Sequence, residues 1–103
     1  VELKMNYSEL SDDKINLQVF ERLFGNIGED RDMLRVWQQG KFQPCNSWAD
    51  AGPIIEKENI SLIFGFGHWD AMSPDGESLQ AEEVNPLRAA MIVFLMMQES
   101  PNA

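Results

Sequence analysis

The chain has one cysteine, Cys45, and one histidine, His68, among its 103 residues. A single thiol excludes an internal disulfide and a cysteine-based zinc cluster, and it suits a reducing compartment. Basic residues are also scarce. Eight Lys and Arg stand against seventeen Asp and Glu, giving a formal net charge of −9. Such a surface repels phosphates, which argues against direct nucleic-acid binding through a basic groove and suits a partner with a basic patch. Long apolar runs are missing too. The longest, residues 89–97, is less than half of the roughly 20 residues a membrane-spanning helix needs. No secretory leader is visible at the N-terminus. The expectation is a soluble, cytoplasmic protein without a membrane anchor.

What is present fits one globular domain over 1–103. Hydrophobic residues make up 44% and charged residues 24%, too apolar for disorder. Ser11 is placed to cap a helix, with Asp12 and Asp13 where the helix dipole favours negative charge. Ile15, Val19 and Leu23 recur every four residues beside Phe20 and Phe24, and Gly25 follows. This predicts an amphipathic helix over 12–24. A polar loop follows to residue 32. The run 33–37 reads as a strand, because Gly40 and Pro44 bound it closely. Ser47 or Asn46 caps a short turn holding Trp48, Ala49 and Asp50. A separate short helix starts with Pro53 at its first position and ends at Asn59.

Residues 60–64 make the best strand in the chain, and 68–72 the returning strand of an antiparallel hairpin turned by Gly65, Phe66 and Gly67. Ser73, Pro74, Asp75 and Gly76 signal a tight turn. Residues 77–84 form an edge strand or a loose segment. The last helix has the clearest start. Asn85 is a good N-cap and Pro86 falls at the first helical position. Every residue from 89 to 97 is apolar, so this helix needs cover on more than one side. It is therefore core, a homodimer interface, or both. Residues 100–103 form a loose tail. The fold class is α+β: a small antiparallel sheet packed by two to three helices, including the long apolar C-terminal one.

Chemistry-bearing residues are sparse. Gly65, Phe66 and Gly67 lack the third glycine, the following helix and the lysine of a phosphate loop. His68 and Asp70 share one face of a strand, and a Cys45–His68 pair needs the fold to bring them together. Neither pattern marks a catalytic site, so no catalytic, cofactor or metal residue is assigned. Glu56, Glu58, Glu82 and Glu83 lack any calcium-loop spacing. Trp48 beside Asp50 offers a binding anchor, but the favoured reading has its indole covering one end of the core. Arg88 sits in the first turn of the last helix, the wrong end for a cation. It pairs with an acid such as Asp50, Glu82 or Glu83, and its placement hints at a functional anion or carboxylate contact.

Three stretches carry a resemblance. The first is Met5, Asn6, Tyr7, Ser8, Glu9, Leu10, Ser11 and Asp12, with Ile15 and Asn16. The second runs from Pro44 through Cys45, Asn46, Ser47, Trp48, Ala49, Asp50, Ala51, Gly52 and Pro53 to Ile54 and Ile55. The third joins Trp69, Asp70 and Ala71 to Asn85, Pro86, Leu87, Arg88, Ala89, Ala90 and Met91. Together they resemble the NinX-like family of tailed-phage and prophage proteins. The resemblance implies a small accessory product of a phage genome, acting in the bacterial host cell, with no activity or catalytic residue to carry over. It favours Met5 as the native start, with residues 1–4 an extension; the residues alone equally allow a short first strand over 2–7.

The expected function is non-enzymatic binding of a host or phage protein, with Trp48, Asp50, Trp69 and Arg88 as candidate partner-binding residues. One alternative is a DNA mimic that occupies a nuclease or defence complex. The other is a small enzyme or nucleotide binder using His68 and Asp70.

Overall fold

Asn85 starts the helix around which the rest packs. Its Oδ1 accepts the N–H groups of Leu87 (2.8 Å) and Arg88 (3.3 Å), and its carbonyl accepts that of Ala89. In this computed structural model, which describes residues 6–25, 31–76 and 78–99, that helix spans Pro86–Glu99. The other elements, in chain order, are a 3₁₀ turn Tyr7–Glu9, α1 (Asp12–Phe24), α2 (Arg31–Gln38), α3 (Trp48–Glu58), β1 (Ser61–Gly65), β2 (His68–Met72) and β3 (Gln80–Glu83); Pro86–Glu99 is α4. The fold is α+β, with one antiparallel sheet in the order β1-β2-β3. α4 packs against α1, α3 and all three strands. Its residues 89–95 are all buried within the chain, so the core claims that stretch. No helix among the described residues is long and apolar enough to cross a membrane.

α1 keeps the boundaries its caps dictate: Ser11 Oγ accepts the Lys14 N–H, and Gly25 ends it at φ 76°. Its buried stripe is Ile15, Asn16, Val19 and Phe20, which leaves Leu23 37% exposed at the edge instead of in the core. Asn16 is the polar member, and it has a use. Its Oδ1 accepts the Cys45 N–H at 2.9 Å, while Asn85 Nδ2 donates to the Cys45 carbonyl at 2.7 Å. The 44–46 segment is thereby pinned between the first and last helices.

The strand expected over 33–37 is a helix. Met33, Leu34, Val36 and Trp37 are half-buried while Asp32 and Arg35 are exposed, a spacing of three and four. Gly40, at φ 67°, is the helix stop. Its N–H bonds the Trp37 carbonyl and the Lys41 N–H bonds that of Val36, a Schellman closure. Trp37 then stacks near Phe20, with centroids 5.3 Å apart, in a cluster with Phe24 and Phe42.

The turn at 48–50 and the helix from Pro53 are one continuous element, α3, with Pro53 in its interior. Proline there removes the N–H that the Ala49 carbonyl would receive. Pro53 and Ala49 both lie on the exposed side, where water can satisfy that carbonyl. Burial of Ala51 and Ile54 holds the helix together across the break. Asn59 closes it in the left-handed conformation, as expected. The strands follow the hairpin reading, with β1 shifted by one residue and β3 realising the edge strand. The strand considered over 2–7 falls largely outside the described residues; Tyr7 itself lies in the 3₁₀ turn. The tail at 100–103 and most of the loop after α1 also lie outside them.

Candidate functional site

Residues two apart on a strand share a face. Ala71 is buried, and its register partners Leu62 and Ala81 pack on the core. Phe64, Trp69 and Glu83 therefore lie on the α4 side of the sheet. Ile63, His68, Asp70 and Glu82 lie on the outer side. The two faces pose different questions.

Beyond the end of the core the hairpin carries a group of exposed apolar side chains. Ile63 is 53% exposed, Phe64 59%, and Phe66 fully exposed. The half-buried Trp69 ring lies 5.3 Å from that of Phe64. Phe66 and Gly67 form the two-residue loop between the paired Gly65 and His68, and both have positive φ, 55° and 84°. Two such residues in succession are what a type I′ turn demands, and Asn-Gly is its favoured pair. A bulky aromatic at φ > 0 is a conformational outlier that costs roughly 1 kcal/mol or more. Phe66 recovers none of it by burial. Beside this tip runs β1, which among the described residues has a strand partner on one side only.

The four residues expected to bind a partner take separate roles. Trp48 opens α3 and is 58% exposed; it does not cover the core, contrary to the packing reading. Asp50 is half-buried and its Oδ2 accepts the Gln43 N–H at 2.9 Å in an exposed bond. Trp69 joins the hairpin group. Arg88 is a clamp. Its Nε donates to Glu83 Oε1 (2.8 Å), Nη1 to Asp12 Oδ1 (2.7 Å), and Nη2 to the carbonyls of Leu10 (2.7 Å) and Ser8 (3.0 Å). Burial alone would lower its pKa; the hydrogen bonds with Asp12 and Glu83 outweigh that and hold it above its ordinary value. Of the acids expected as partners, Glu83 is used and Asp50 is not. Asp12, 76 positions away, carried no sequence signal.

The remaining chemistry is dispersed. Cys45 is fully buried, and burial, reinforced by the Asp12 charge, pushes its thiol up to about 12. That is a protonated, inert sulfur. A groove of about 550 Å³ between α1, α2 and α3 is lined by Phe24, Met33, Val36 and Ile54 among others, and by none of His68, Asp70, Cys45 or Arg88. On the outer sheet face, His68 Nε2 lies 3.4 Å from Asp70 Oδ1 and 3.5 Å from Glu82 Oε2. Sequence alone paired His68 with Asp70; Glu82 joins them through the β2–β3 register, where it stands opposite Asp70.

Comparison with known proteins finds the family described as "Bacteriophage P22, NinX", which matches residues 6–98. No curated protein and no solved structure matches the chain.

Proposed function

The chain belongs to the phage P22 NinX family, and we propose that it acts as a non-enzymatic adaptor whose hairpin tip and β1 edge take up an extended segment of a host or phage protein. The observation that supports this reading is Phe66. A fully exposed aromatic in a left-handed conformation weakens the fold and packs on nothing within it. The same hairpin adds Phe64 and Trp69 on one sheet face and Ile63 on the other, apolar and aromatic surface of the kind found in a binding hot spot. The open edge of β1 selects an extended strand, since its outward backbone groups add a partner by main-chain hydrogen bonding. The net charge of −9 favours a segment whose apolar residues are flanked by lysine or arginine.

Among the described residues the DNA-mimic alternative lacks a comparable feature. Asp12 and Glu83 are turned toward Arg88, and Asp50 toward the Gln43 N–H. These three carboxylates serve the fold instead of forming a phosphate-like row.

Site-specific photocrosslinking tests the proposal. A photoreactive side chain replaces Ile63 or Phe66, with Glu21 on exposed α1 as the control, and adducts from phage-infected cells are mapped by mass spectrometry. The expected result is one adduct family at 63 and 66, on an apolar, basic-flanked segment, and none at 21. Equal labelling at all three positions, or adducts at 21 alone, rejects the hairpin as the docking surface.

A further inference from the structure

His68, Asp70 and Glu82 come from two strands and meet on the outer sheet face. One ligand atom from each lies within 4.8 Å of the other two. We propose that they form a tetrahedral binding site for a divalent transition metal of the Zn²⁺ class, which ties β2 to β3. Four observations carry this.

The two separations from His68 fit the metal. Ligands at 2.0–2.1 Å from a tetrahedral centre stand about 3.3–3.4 Å apart, against about 2.9 Å for adjacent ligands of an octahedral ion such as Mg²⁺. His68 Nε2 stands 3.4 Å from Asp70 Oδ1 and 3.5 Å from Glu82 Oε2. Asp70 Oδ1 is itself buried and accepts no hydrogen bond. A carboxylate oxygen withdrawn from water in this way needs a positive partner, and its contact with His68 is not a hydrogen bond.

The register puts Asp70 directly opposite Glu82. Like charges in that position destabilise a strand pair, and a shared cation reverses the sign. The donor set also selects the ion. An imidazole nitrogen with two carboxylates suits Zn²⁺ and its neighbours, while Mg²⁺ and Ca²⁺ prefer oxygen alone. Glu82 is exposed, so the fourth position is open to water.

Untagged full-length protein, stripped of metal, is titrated with ZnCl₂ by calorimetry and by NMR of the His68 ring, the sole histidine signal. The only thiol, Cys45, is fully buried and does not compete. One saturable Zn²⁺ per chain is expected, with a shift of the imidazole resonances, a higher Tm and no displacement by excess MgCl₂. His68→Ala and the conservative Glu82→Gln, checked for folding by circular dichroism, each weaken binding by at least about tenfold, the scale on which metal sites respond to altered shells. Absence of saturable uptake, uptake undiminished in both variants, or displacement by Mg²⁺ overturns the site.

Discussion

Replacing Arg88 by methionine keeps most of the side chain's volume and removes all four of its donated bonds. The four do not weigh equally. Asp12 is 41% exposed and the Ser8 carbonyl is solvent-facing, so water replaces the guanidinium there at little loss. Glu83 is only 19% exposed and the Leu10 bond is partly buried. Each of these loses a charge-assisted bond of about 1.5–3 kcal/mol, and Glu83 keeps a poorly hydrated charge. Arg88→Met therefore destabilises by roughly 3–6 kcal/mol, which in a domain of this size lowers Tm by roughly 12–48 °C. Urea unfolding followed by tryptophan fluorescence measures it. Hydrogen exchange should show loosening around residues 7–10, the segment the clamp holds. Arg88→Lys keeps the charge but loses the fork, and falls between the two. An Arg88→Met protein within about 1 kcal/mol of wild type, with unchanged exchange at 7–10, refutes the clamp; losses that small are ordinary for surface substitutions.

Asn16→Ala leaves the buried Cys45 N–H without its acceptor and should destabilise by about 1–3 kcal/mol in urea unfolding, against about 0.5 kcal/mol for an exposed control such as Glu21→Ala. Cys45 gives a pH prediction. Burial, then the Asp12 charge, raises its thiol from 9.0 to about 12, so the folded protein keeps a proton that the unfolded chain releases. Its contribution is complete below pH 9 and is lost as pH rises toward 12. Cys45→Ala should show a shallower loss of stability over that window than wild type; parallel slopes contradict the assignment. Tyr7, raised chiefly by burial and then by its bond to Glu99, adds a loss of the same sign in both proteins.

Local rules carried much of this fold. Ser11 and Gly25 fixed both ends of α1, Asn85 and Pro86 fixed the start of α4, and 68–72 emerged as the second strand of its hairpin. Each signal is a cap, a breaker or an alternation that acts within a few residues. α2 departs from the strand expectation because Gly40 and Pro44 look like strand boundaries, whereas the apolar residues at 33, 34, 36 and 37 have helical spacing. Pro53 misled for a different reason: its fit inside α3 depends on which side of the helix faces water. The site was less legible. Trp48 and Trp69 stand out in the sequence by residue type, whereas the backbone conformation and full exposure of Phe66 appear only with the hairpin. Arg88 was singled out by its position against the helix dipole, yet its contacts with Ser8, Leu10 and Asp12 span about 80 residues and leave no local trace.

If the hairpin tip is kept for a partner and not for the fold, stability and binding separate at position 66. Phe66→Asn supplies the favoured Asn-Gly turn and should raise stability by about 0.5–1 kcal/mol. The decisive measurement is the amount of crosslink-mapped partner retained by Phe66→Asn relative to wild type, at equal folded concentration. The account predicts a fall of about thirtyfold, the loss of a hot-spot residue worth about 2 kcal/mol. Undiminished retention by the more stable variant contradicts it.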